Sequence, residues 1–71
     1  MYLEARVKST TPILSKPNEL GKNLGKLYTN DFVALVSLHK NGLDSYYRTA
    51  NGGYINAADV VIDRDVEFSS Q

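Results

Sequence analysis

Cysteine is absent from the 71-residue chain. Without it there is no disulfide framework, no thiolate zinc site and no cysteine nucleophile. Histidine occurs once, at position 39, so no second imidazole can share a metal or relay a proton with it. No apolar run approaches the roughly 18–20 residues that a membrane-spanning helix needs. The first residues, MYLEARVKS, lack the basic-then-apolar order of a signal peptide. Export is therefore expected only inside something larger or by another route, and the compartment (cell wall, virion or cytoplasm) stays open.

An excess of either charge is also missing: eight Lys and Arg balance eight Asp and Glu. Lysine and arginine are too sparse for a nucleic-acid footprint. The balance is uneven along the chain, with net +3 over residues 1–30 and net −3 over residues 31–71. A dipolar molecule of this kind can dock on a charged partner or on a copy of itself, so a homo-oligomer is possible. Scattered surface charge is more often simply solvated.

The helical period is missing as well, while β-branched and aromatic residues cluster between Gly, Asn, Asp and Pro. YLEARVK (2–8) alternates Leu3, Ala5 and Val7 with Glu4, Arg6 and Lys8, the pattern of a half-buried strand. A long stretch rich in Pro and Gly follows. Within it, PILSKP (12–17) and NLGKLYT (23–29) read as short strands flanking a turn at Asn18–Lys22, together an extended hairpin loop with a mobile tip. DFVALVSLH (31–39) is the strongest strand, with Phe32, Ala34, Val36 and Leu38 on one face and Val33, Leu35 and Ser37 on the other. Asn41-Gly42 predicts a type I′ turn into LDSYYRT (43–49), and Asn51-Gly52-Gly53 a second such turn into GYIN (53–56). AAD (57–59) suits one 3-10 turn before the closing strand VVI (60–62). The sum is all-β: a small, strongly bent barrel of five strands with a long first loop. Residues 1–62 form the barrel, and residues 63–71 a tail or an extra edge strand at 65–68.

LGKLYTNDFVALV (24–36), YYRT (46–49), NGGYINAADVV (51–61) and, more loosely, ARVKSTTPILSKP (5–17) resemble the bacterial Src homology 3-like domain family over roughly residues 4–62. Tyr46 stands where the family usually carries Trp. STTPILSKPN replaces the family's Asn-Val-Arg-x-Gly-Pro loop signature, and the Ala-Leu-Tyr-Asp-Tyr motif for Pro-rich ligands is absent. The resemblance implies a barrel with a groove near the first loop that takes cell-wall cross-bridge peptides or Pro-rich segments. On such a barrel Tyr28, Tyr47 and Tyr54, with Asn18 and Glu19 in the 18–22 loop, would line that groove, the rings stacking and the hydroxyls acting as polar handles. Tyr46 is expected to cover the core.

Catalysis is not expected. His39 has no base-and-orienter set around it, and is expected to hydrogen-bond Asp44 or Ser45 across its turn. Asp63 and Asp65 supply too few oxygens for calcium. GKNLGK (21–26) lacks the strand–loop–helix setting that cradles phosphate. No metal or cofactor is called for. The expected function is a non-catalytic binding or targeting module for a peptide, a cell-wall component such as peptidoglycan, or a protein partner. The alternative is an assembly protein that packs by protein–protein contacts in a phage particle or larger complex.

Overall fold

The period-two alternation of YLEARVK does form a strand, and six more follow it. The computed structural model describes the backbone of residues 2–66 and the side chains of residues 3–63. Its strands are β1 (Tyr2–Val7), β2 (Thr11–Leu14), β3 (Asn23–Leu27), β4 (Phe32–Asn41), β5 (Asp44–Thr49), β6 (Tyr54–Asn56) and β7 (Val60–Val66). The expected 3-10 turn occupies Ala57–Asp59, where the Asn56 side chain accepts a 2.8 Å bond from the Ala58 N–H.

The strands make one antiparallel sheet in the order β3-β2-β6-β5-β4-β1-β7. The all-β expectation holds, but the small, strongly bent five-stranded barrel is not confirmed: the sheet has seven strands and is not closed, with β3 and β7 at its edges. The two additional strands are the arms of the long early loop. They pair with each other, and Leu14 of β2 also pairs with Tyr54 of β6. Residues 63–66, expected to begin a tail or an extra edge strand, continue β7; residues 67–71 lie outside the described residues.

One face of the sheet holds the core. Ala5, Val7, Leu35, Ile55 and Val60 are buried together, and each large member contributes about 1.5–3 kcal/mol. Ile13 from β2 and Leu27 from β3 pack against the same cluster as Leu3 and Val33 from the opposite half of the sheet. The sheet is therefore bent over one core, with its other face convex.

Bulges decide which residues reach that core. Leu35 pairs with Thr49 but Ser37 pairs with Arg48, leaving Val36 as an extra residue. The alternation reverses there. Val33 and Leu35 face the core before the bulge; afterwards Leu38 shares the side of its partner Tyr47 but lies beyond the core, 46% exposed, and Ser37 and His39 turn to the convex face. The expected sharing of one face by Phe32, Ala34, Val36 and Leu38 is thus broken. Both edge strands are bulged too, at Leu24 in β3 and at Asp63 in β7. Edge bulges discourage the addition of further strands.

The turns also differ from expectation. Asn41 still pairs with Asp44, so the two central residues of the β4–β5 hairpin are Gly42 and Leu43. Gly42 has φ +66° and Asn41 has no positive φ, which is the glycine-first arrangement of a type II′ turn rather than type I′. In the next hairpin the Thr49 N–H donates to the Gly53 carbonyl (2.8 Å) and the Gly52 N–H to the Thr49 carbonyl (3.0 Å). These bonds enclose a three-residue loop with Gly52 at φ +105°.

Candidate functional site

The early loop is tied across its tip rather than loose. The Ser15 N–H donates to the Lys22 carbonyl (2.9 Å) and the Lys22 N–H to Ser15 Oγ (2.8 Å). At the turn itself Asn18 Oδ1 accepts from the Leu20 N–H (2.8 Å), an Asx turn, and the Asn18 carbonyl accepts from Gly21 (3.1 Å). These bonds hold Asn18, Glu19 and Leu20 opposite the end of the β4–β5 hairpin.

Between the two tips lies a cleft of about 430 Å³, lined by Asn18, Glu19, Leu20, Asn41, Asp44 and Tyr46. Tyr46 sits at its base. It is opposite His39 on β4 and Asn56 on β6, on the convex face, and is only 6% exposed. Among the described residues its hydroxyl makes no hydrogen bond, yet the sole fully enclosed side-chain polar atom without a partner is Thr11 Oγ1. The Tyr46 hydroxyl therefore opens to the cleft. The carboxylates of Glu19 and Asp44 likewise have no ion-pair or hydrogen-bond partner among the described residues. Two carboxylates without an ion pair beside a concavity leave acceptors there for a cationic group. Such a cleft suits a ligand that brings positive charge and hydrogen-bond donors.

The structure brings together Asn18 and Glu19 and sets them beside Tyr46, not beside the three tyrosines assigned to their groove. Tyr47 pairs with Ile55 and packs against the core, while Tyr54 pairs with Arg48 on the convex face. Adjacent strand residues point to opposite sides, so Tyr46 and Tyr47 cannot serve the same surface. Tyr28, 59% exposed, follows β3 in a separate turn where its N–H donates to Asp31 Oδ2 at 2.8 Å. Tyr46 is buried as expected, and it also lines the cleft with Asn18, Glu19 and Leu20. Burial alone does not tell which face of a sheet buries a ring, so the sequence does not single it out for the cleft.

His39 differs from expectation as well. Its Nε2 lies 2.9 Å from Ser37 Oγ, two residues back on its own strand, and its ring meets Tyr54 edge-on at 5.2 Å and 83°. Among the described residues no cluster of His, Cys, Asp and Glu is placed to hold a metal ion, and no helix is long and apolar enough to cross a membrane. No protein-family model, no curated protein and no solved structure matches the chain.

Proposed function

We propose that this chain is a non-catalytic binding module of the bacterial Src homology 3-like kind, which recognises a peptide or a peptide-bearing cell-wall component through the cleft between residues 18–20 and 41–46. The fold-level support is the order of features: a long first loop, two glycine-bearing hairpins, a 3-10 turn before the last strand, and a sheet whose two halves share one core. The observation that carries the reading is the cleft, where Glu19, Asp44 and the Tyr46 hydroxyl have no partners among the described residues. Its ligand presents a cation, the ammonium or guanidinium of a peptide. Glu19 and Asp44 are two carboxylates where calcium takes about six to eight oxygens, and among the described residues no group of His, Cys, Asp and Glu is placed to hold a metal ion.

The test is an NMR titration of the ¹⁵N-labelled protein with capped short peptides carrying a single Lys, or Gln in its place. The Lys peptide is expected to shift amides of residues 18–20 and 41–46, and the Glu19→Gln/Asp44→Asn variant to lose that response while keeping its spectrum. Equal responses to Lys and Gln peptides would sink the reading.

One observation favours the assembly role. Phe32 is 66% exposed and lies in a row with Arg6 and Val61 across β4, β1 and β7. Two exposed apolar residues on either side of Arg6 offer another subunit a mixed apolar and charged contact. Concentration-independent association in light scattering, abolished by Phe32→Ser, is the result that this role requires.

A further inference from the structure

The convex face continues beyond the cleft. Asp44, Tyr46 and Arg48 occupy alternate positions of β5, so all three project from that face. Arg48 lies in the middle of a row, with Ser37 opposite it on β4 and Tyr54 opposite it on β6. The next position along β4 is His39, hydrogen-bonded to Ser37 and edge-on to Tyr54. The Arg48 side chain is exposed and has no carboxylate partner among the described residues. Its nearest acidic neighbour on the same strand face is Asp44, four residues away, or about 13 Å at ~3.3 Å per residue.

An arginine held in this way on a sheet, with a hydroxyl and an imidazole on one side and a phenol on the other, is a setting for a carboxylate. Guanidinium offers its donors in a planar fork that matches the two oxygens, and Ser37, His39 and Tyr54 can supply further donors at the margin. We propose that Arg48 is an anion subsite for the same ligand whose cation fills the cleft. The ligand is then a dipolar, extended peptide that lies along β5, with its positive and negative groups four residues apart. An extended chain advances by nearly the same length per residue as the strand beneath it, which is why the spacing transfers directly. A free peptide of that length with charged termini and a longer peptide with Lys and Glu side chains offer the same chemistry.

This inference rests on the reading of the cleft as a cation site, and the experiment separates the two. Four capped peptides are titrated by NMR, all alike except for two positions with three residues between them: Lys/Glu, Lys/Gln, Gln/Glu and Gln/Gln. An uncapped five-residue peptide without charged side chains tests the terminal source of the same charges. The wild-type protein is expected to bind Lys/Glu about threefold to fivefold tighter than Lys/Gln, the scale of one exposed ion pair. The Arg48 side-chain Nε–H resonance is expected to shift only with the peptides bearing a carboxylate. Arg48→Gln is expected to erase the difference between Lys/Glu and Lys/Gln while leaving Lys/Gln binding intact. A Glu preference that survives in Arg48→Gln, or no Glu preference while Lys dependence remains, overturns the anion subsite and leaves the cleft reading standing. Carboxylate binding that depends on Arg48 without any Lys dependence upholds the subsite and overturns the cleft. Absence of binding by every peptide overturns both.

Discussion

Gly53 is buried against Ile13 so closely that a Cβ built on the glycine would overlap the isoleucine Cγ2. Gly53 opens the step into β6, and Ile13 is the residue of β2 that packs on the core. The glycine's lack of a side chain is thus what lets β2 close over β6. Gly53→Ala is expected to destabilise the protein by about 1–3 kcal/mol, the usual cost of forcing a methyl into a filled space. Ile13→Ala leaves a cavity on its own, at about 2–5 kcal/mol. In the double variant the alanine methyl at 53 enters the space that Ile13 vacated, so the two losses are expected to sum to less than their parts. Urea unfolding of the four proteins gives the coupling directly, and strict additivity would show that the two residues do not compete for space.

Gly42 makes the next case, because its φ of +66° lies where side-chain-bearing residues are strained. Gly42→Ala is expected to cost about 1–2 kcal/mol. Asn41 has an ordinary backbone conformation and a strand partner, so Asn41→Ala is expected to change stability by less than ~0.5 kcal/mol. Leu43, wholly exposed at the turn, is expected to tolerate Ser equally well. Had Asn41-Gly42 been the central pair of a type I′ turn, Asn41→Ala would match Gly42→Ala in cost. The denaturation midpoints of the three variants decide between the two turn types.

Thr11 is fully buried opposite Leu27, and its Oγ1 has no hydrogen-bond partner among the described residues. An unpaired hydroxyl in an apolar setting carries a desolvation cost that nothing repays. Thr11→Val keeps the shape and removes the polar atom. It is expected to stabilise the fold by about 1 kcal/mol, which corresponds to a rise in Tm of about 4–8 °C for a domain of this size. A fall in Tm measured by calorimetry would mean that the hydroxyl is bonded in solution.

The strands were legible because short-range chemistry sets them: period-two alternation in residues 2–8, the β-branched run after Asp31, and the glycines at 42 and 52. The 3-10 turn followed from the shortness of AAD, and the structure adds the Asn56 side chain that caps it. What the sequence left open was registry. A single extra residue at Val36 reverses the facing of everything after it, and no residue type at 36 announces a bulge. The same ambiguity hid the site. Tyr46 and Tyr47 are chemically identical neighbours, and only the pairing with Asn56 and Ile55 tells which one faces the cleft and which the core. Asn18 and Glu19 were legible as loop residues because turn chemistry marked their position. Their approach to Asp44 and Asn41 depends on how far the sheet bends, which is set by contacts distant in sequence.

Tyr46 carries the last prediction because its two parts have different tasks. The ring is buried, so Tyr46→Ala is expected to cost about 3–5 kcal/mol, much of what a 71-residue domain has. The hydroxyl has no partner among the described residues and opens to the cleft, so Tyr46→Phe is expected to leave stability within ~0.5 kcal/mol of wild type. Binding should respond instead. Loss of one hydrogen bond predicts an affinity for a capped Lys peptide about twofold to tenfold weaker. Tyr47→Phe, altered on the core side, is expected to bind as wild type does. Raising the salt from low ionic strength should weaken all three proteins alike, since the Glu19 and Asp44 charges remain in each. If Tyr46→Phe and wild type bind the Lys peptide equally, the hydroxyl does not touch the ligand, and the carboxylates alone define the cleft's preference.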